Sequence, residues 1–219
     1  HTGSDSKYFN RNGRYGEHTG AYRDQNSPYY SWYKFNNWPN DYHSWWGFYT
    51  LPEVNETDPK FNEYINGKDG IVRTYMRYGN SGWRLDVADE LPDEFLRKAV
   101  KEEDPEGFIV GEVWEDASNK ESYGARRKFL LGEELDSVMN YVFRNAILDF
   151  CRGADAKYVM NQIMSVIENY PRPVLRVLMN SLSTHDTERA LTVIAGEPLN
   201  GRDRQWQGKQ KLSYDTRKR

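Results

Sequence analysis

"GWRLDVADE", residues 82–90, alternates its side chains: Trp83, Leu85 and Val87 fall on one side, Arg84 and Asp86 on the other. That period of two is the pattern of a β-strand with two different faces. Asp86, Asp89 and Glu90 are nonetheless acids in or next to an apolar run. A carboxylate in a protein interior is costly unless it is paired or used in chemistry. The next segment supplies the context. Residues 91–103 carry Pro92 where a first helical turn favours it and Asp93 and Glu94 near the positive end of the helix dipole. Phe95, Leu96, Ala99 and Val100 form one apolar face, so an amphipathic helix is expected. The alternation continues with a strand at 108–111, a helix at 123–131 and a strand at 135–139. Helices at 141–151 and 158–170, a fourth strand at 174–180 and a helix opening at 187–195 complete it. Strands alternating with helices predict parallel βα units.

Upstream the character changes. Residues 1–60 hold four tryptophans (Trp32, Trp38, Trp45, Trp46), many tyrosines, and abundant Asn, Gly and Ser, with weak helix and strand periodicity. A long irregular excursion packed by aromatic rings is expected there, and in most cases such rings simply fill a small core. The organisation predicted is a loop-rich region over 1–60 and a βα region over 61–219. With 219 residues, 37% of them hydrophobic, the chain can bury one sizeable core, and a net charge of −3 with interspersed acids and bases gives no electrostatic footprint for nucleic acid or a membrane surface. No apolar run approaches the ~18 residues of a membrane span, and no signal-peptide core is present near the start. Composition does not choose between a cytoplasmic and a secreted bacterial protein. The single cysteine, Cys151, sits at helical spacing with Ala146, Ile147 and Phe150 and reads as an inert core thiol.

In parallel βα units the loops at the carboxyl ends of the strands build the site. Three strand ends carry acids: Asp86, Glu112 in "GEVWED" and Asp186 in "NSLSTHD"; the strand ending in "DSVMNY" has none comparable. Arg84 lies two residues before Asp86 and so shares its face, where a guanidinium favours the ionised carboxylate that suits a nucleophile. A second carboxyl kept protonated would suit a proton donor, and glycoside hydrolysis needs such a pair. A structural ion pair between Arg84 and one acid fits the same spacing, and periodicity alone does not choose.

Ordered motifs add a resemblance. "GWRLDVADE", "GEVWED" and "NSLSTHD" are similar to the fourth-, fifth- and seventh-strand motifs of the α-amylase superfamily, glycoside hydrolase family thirteen. "LPEVNE", residues 51–56, resembles a short signature near the end of that family's inserted domain, and "HTGSDSKYFN" resembles the stretch just after its third strand. The branch most resembled is that of neopullulanase, cyclomaltodextrinase and maltogenic amylase. The resemblance implies a partial (β/α)8 barrel, about strands four to seven, with the inserted irregular domain after strand three. The first three strands and a C-terminal β domain would lie outside the chain, which would then be a piece of a catalytic domain, inactive alone and prone to self-association.

The resemblance also implies roles. Asp86 would be the nucleophile, Glu112 the general acid and then base, and Asp186 the acid that binds sugar hydroxyls and stabilises the transition state. Arg84 would keep Asp86 ionised, and His185 and His1 would contact the sugar at the cleaved bond. Apart from the resemblance, Trp114 just after the acid reads as an aromatic platform beside the leaving sugar or as simple loop packing, and Trp45 and Trp46 as the sugar-stacking pair of the inserted region; His18 and His43 match no motif. The substrate implied is an α-glucan: maltodextrin, cyclodextrin, pullulan or starch. Asp89 stands where the branch commonly has asparagine and Glu53 where it has lysine. The choice between α-1,4 and α-1,6 bonds, and between hydrolysis and glycosyl transfer, stays open; a non-catalytic glycosidase-like partner subunit is the other class. Many members bind calcium through the inserted domain. Asn10, Asn12 and Asp24 offer oxygens, but with no spaced acidic loop no metal is assigned.

Overall fold

In the computed structural model the described residues are 14–16, 18–195 and 201–209, without the side chains of 98–100 and 204. They form two units, one of the described residues up to 80 together with 98–104 and the other of the described residues among 81–97 and from 105 onward.

Among the described residues of the first unit, little regular structure precedes Asp58. Strands β1 (Phe35–Asn37) and β2 (Asp41–Tyr42) pair antiparallel, and single 3₁₀ turns cover Tyr30–Trp32 and Trp45–Gly47. Rings take the place of a ladder. Tyr30 stacks on Phe35 at 5.2 Å, Tyr42 meets Tyr49 edge-on at 5.4 Å, and Trp32 packs against Phe61 and Tyr64. Helix α1 (Pro59–Asn66) begins sharply because the buried Asp58 accepts from the amides of Lys60 and Phe61, both at 2.9 Å, with Pro59 in the first turn. Helix α2 (Ile71–Arg77) comes next.

The second unit is built on a parallel sheet in the order β3 (Gly82–Leu85), β4 (Phe108–Gly111), β7 (Ser137–Val138), where β5 (Glu121–Ser122) and β6 (Ala125–Arg126) form a separate hairpin. Leu85 pairs with Gly111 and Gly111 with Val138, so the carboxyl ends of the three strands are level. A single parallel bridge, Met139 to Met179, continues the ladder. Leu96, Ile109, Val113, Phe129, Leu135 and Val138 are fully buried around it. Helices α3 (Tyr141–Cys151) and α4 (Ala156–Asn169) start at side-chain caps, Asn140 on the Phe143 amide and Asp155 on the Tyr158 amide. Shorter helices are α5 (Arg172–Leu175), α6 (Ala190–Ala195) and α7 (Arg204–Lys209). Cys151 is a free, half-buried thiol. Among the described residues no helix is long and apolar enough to cross a membrane.

Four expectations need correction. The helix expected at 123–131 is absent: Tyr123 and Gly124 take left-handed backbone (φ 54° and 73°), which turns the chain back as the β5–β6 hairpin. The strand expected at 174–180 reduces to the Met179 bridge, because Pro171 and Pro173 favour a helical turn and α5 occupies its start. The helix expected over 91–103 is a wide π-type helix at Phe95–Lys101, with Leu96 buried and the side chains of Ala99 and Val100 outside the described set. Val87 does not extend β3, since its φ of 48° ends the strand at Leu85.

Candidate active site

The level strand ends bring Arg84, Asp86, Glu112 and Tyr141 to one place. Arg84, at half-burial, forks: Nη1 donates to Asp86 Oδ1 and Nη2 meets Glu112 Oε1 at 3.0 Å. Nη2 also lies 3.6 Å from Met139 Sδ. Burial pulls the Arg84 pKa down, but the hydrogen bond to Asp86 and the charges of Glu112 and Asp86 outweigh it and hold the guanidinium above its ordinary range. Spacing predicts an arginine serving Asp86 alone. It serves both carboxylates, because parallel register sets the end of β4 beside the end of β3.

The two acids differ in exposure. The Asp86 side chain is 70% exposed, whereas that of Glu112 is 4% exposed and enclosed by donors. Besides Arg84, the backbone N–H of Val87 donates to Glu112 Oε2 at 3.0 Å and the Tyr141 hydroxyl to Oε1 at 3.2 Å. Tyr141 comes directly after the strand whose end lacks an acid, and a search limited to carboxylates passes over it. Its ring lies under Trp114, with centroids 4.2 Å apart and planes 7° apart. Burial, and then the charges of Glu112 and Asp186, push its phenol pKa up against a hydrogen bond with Thr184.

Asp186 belongs to the same neighbourhood through Tyr141 and through a cleft of about 740 Å³ lined by Trp114, Glu115, Arg144, Asp186 and Glu188 among others. His185 Nε2 meets Asp186 Oδ2 at 3.0 Å. The loop bearing both is fastened by Arg144, whose Nε donates to the Leu182 carbonyl at 3.1 Å and Nη2 to that of Glu188 at 3.3 Å. The sequence gives no signal for this residue either; it lies in a helix pattern that an arginine does not interrupt.

Other expected residues fall elsewhere. His1, Asn10 and Asn12 lie outside the described residues. Trp45 and Trp46 belong to the first unit, with ring centroids 6.2 Å apart; Trp46 is 77% exposed on left-handed backbone. Asp24 bonds His18 and Asn26, and among the described residues no group of three His, Cys, Asp or Glu gathers as metal ligands. Each departure from the branch has a cation beside it. Buried Asp89, its pKa raised by desolvation against the opposing charge of Lys120, lies 3.4 Å from Lys120 Nζ, and Glu53 lies 3.8 Å from Lys34.

The model of the alpha-amylase catalytic-domain family matches residues 1–209. The chain belongs to that family. An amylopullulanase of Thermoanaerobacterium saccharolyticum is 36% identical over 227 aligned residues, covering 88% of this chain and 17% of that protein. A cyclomaltodextrinase of Thermoanaerobacter pseudethanolicus is 35% identical, covering 78% of this chain and 30% of its own length. Among solved structures, the cyclic α-maltosyl-(1→6)-maltose hydrolase of Arthrobacter globiformis, in complex with that sugar, superposes with a TM-score of 0.69 at 28% identity. The match covers 81% of this chain and 40% of that one. The type III pullulan hydrolase of Thermococcus kodakarensis gives 0.66 at 31% identity, over 78% of this chain and 30% of that one. The alpha-amylase-family chain therefore spans under half the length of these relatives, and its described part is an α/β arrangement on a parallel sheet that does not close into a barrel.

Proposed function

We propose that the protein carrying this chain is a retaining α-glucan hydrolase, acting on maltodextrins, cyclodextrins, pullulan or starch through a glycosyl-enzyme intermediate. In this reading the chain supplies strands four to seven of an eight-stranded barrel, and residues 1–60 are the loop-rich insertion after strand three. The observation that carries it is the single guanidinium of Arg84 reaching both Asp86 and Glu112 at adjacent strand ends. One fork can hold two carboxyls close together, and retention requires them about 5–5.5 Å apart.

Asp86, exposed at the end of β3, attacks the anomeric carbon and forms an ester as the glycosidic C–O bond breaks. Glu112 gives its proton to the departing oxygen. The resulting carboxylate then takes a proton from water, which attacks the same carbon and returns Asp86 as a free carboxylate. Asp186 and His185 hold hydroxyls of the reacting sugar, and the Trp114–Tyr141 stack offers an aromatic face to the leaving glucan. Trp45 and Trp46 are proposed as further stacking rings, and His1 as a contact at the cleaved bond. The names of the relatives, hydrolases of pullulan, cyclodextrin and maltosyl sugars, support the substrate class.

The test is Glu112→Gln in the full-length protein. Turnover on maltooligosaccharides falls by roughly 10²–10⁴-fold with KM changed little, since proton transfer acts in the transition state. Release of the β-anomer by the unmodified protein, followed by proton NMR, or undiminished turnover in the variant, overturns the reading.

A further inference from the structure

Val87 is a β-branched residue with φ 48° and ψ 42°, a left-handed conformation such residues rarely adopt, and its amide is the one that donates to Glu112 Oε2. Such a conformation persists only where its surroundings hold it. On the Glu112 side, the Glu112 amide donates to the Leu85 carbonyl at 3.0 Å, which fixes the residue two before Val87. On the other side the chain enters a 3₁₀ turn, Ala88–Glu90, closed by the Glu90 amide on the Val87 carbonyl at 2.9 Å.

That turn is gripped by Arg127, the residue after β6, which is 4% exposed. Nη1 donates to the Asp89 carbonyl at 3.1 Å and Ser122 Oγ at 2.7 Å, Nη2 donates to the Leu91 carbonyl at 2.6 Å, and Nε pairs with Asp93. Its flat face covers Phe129 at 4.4 Å. Nearby in the hairpin, the Tyr123 hydroxyl donates to the Glu90 carbonyl. Three successive carbonyls after Val87, those of residues 89, 90 and 91, are thus tied to the loop that leads on from Glu112 itself. Burying a guanidinium is costly unless its hydrogen bonds are made, and here they go to the Asp89 and Leu91 carbonyls, the Ser122 hydroxyl and the Asp93 carboxylate.

We infer that Arg127 is a positioning residue: by clamping the 88–91 turn it keeps Val87 in its left-handed conformation, with the N–H aimed at the Glu112 carboxylate. This rests on the reading of Glu112 as the acid of the reaction. The clamp links the turn that follows the proposed nucleophile to the loop that follows the proposed acid. Arginine is suited to the task and lysine is not, since only a planar fork serves two carbonyls, a hydroxyl and a carboxylate together.

The experiment compares Arg127→Met and Arg127→Lys, with Tyr123→Phe as the milder change. Amide hydrogen exchange of the full-length protein is read by mass spectrometry on a short peptide holding Val87, with a peptide holding Ile109 and Val110 of β4 as the reference for global opening. The expected result is exchange at Val87 faster by about tenfold in Arg127→Met, less in Arg127→Lys and Tyr123→Phe, with β4 unchanged. In the full-length protein Arg127→Met should lower kcat on maltotriose by roughly 10-fold to 10²-fold, yet lower it far less on a maltosyl fluoride, whose leaving group needs little proton assistance. Unchanged exchange at Val87 overturns the inference, and so does equal acceleration at Val87 and β4 or equal loss on both substrates, each of which marks a merely structural arginine. If Arg127→Met does not fold, the other two variants decide by the same readouts. Full turnover by Glu112→Gln would remove the acid reading and leave the Val87 result standing.

Discussion

Glu134 is 4% exposed, and its Oε2 has no hydrogen-bond partner among the described residues. Desolvation first, and then the charges of Asp93 and Glu133, push its carboxyl up to about 7 from 4.5, against the opposing pull of Arg127 and Arg97. A folded-state pKa above the unfolded one means that the native state holds the proton more tightly, so stability falls as pH rises from about 4.5 through 7. Glu134→Gln should therefore stabilise the chain at pH 8 by about 1–3 kcal/mol and change little below pH 4.5, read from urea unfolding at both pH values. Equal effects at the two would place the penalty in packing, not in charge. A second test at this scale is Tyr141→Phe, which keeps the ring on Trp114 and removes the hydroxyl on Glu112. In the full-length protein kcat should fall by roughly tenfold with KM nearly constant, while Trp114→Ala should raise KM instead. The acids are legible in the sequence because a carboxylate at the end of an apolar strand is anomalous wherever it stands. Tyr141, Arg127 and Arg144 are not, because a tyrosine after a strand or an arginine in a loop or helix is ordinary until its partners are known.

Helix α3 is legible to its bounds, since Asn140 caps it and its apolar spacing is regular over eleven residues. The β5–β6 hairpin is hidden because "ARRKFLL" has a helical count of apolar residues, and the signal against a helix lies in two residues just before it, Tyr123 and Gly124. A left-handed pair outweighs a weak period. Strand β3 invites a sharper test. Gly82 is level with Phe108 in the parallel register, and a Cβ there would collide with the Phe108 carbonyl oxygen, a backbone atom that cannot swing aside. Gly82→Ala should separate the start of β3 from β4 and cost about 1–3 kcal/mol, measured by urea unfolding. Because Asp86 and Glu112 are aligned by that pairing, the same change in the full-length protein should reduce kcat more than it reduces the folded fraction. An unchanged unfolding midpoint would show that the β3–β4 register is looser than the backbone indicates.

At the scale of the whole molecule the decisive feature is an open sheet. Among the described residues the parallel ladder runs β3–β4–β7 and goes on only through the Met139–Met179 bridge, with β3 paired on one edge alone. An eight-stranded barrel removes such edges by closing the sheet, and a strand edge left unpaired is a template for association. Helix α4 adds to this tendency: Met160, Met164 and Ile167, at helical spacing on one face, are all exposed. Motif order makes the parallel βα plan legible, whereas the shortness of β7 and of the 179 bridge is not. Strand length depends on what pairs on either side, and a motif is silent on that. Catalysis is expected to suffer from the same openness. Glu112 is held by Arg84, Val87 and Tyr141, whereas Asp86 is 70% exposed and is held through Arg84, and a displacement of about 1 Å between the proposed nucleophile and acid would cost roughly 10²-fold in rate. The 219-residue chain on its own should therefore be at least ~10²-fold slower than the full-length protein on a chromogenic maltooligosaccharide. It should also sediment above the monomer mass, and Met160→Lys with Met164→Lys should shift it back towards monomer without restoring turnover. A monodisperse monomer with full-length turnover would show that these strands position their acids without a closed sheet around them.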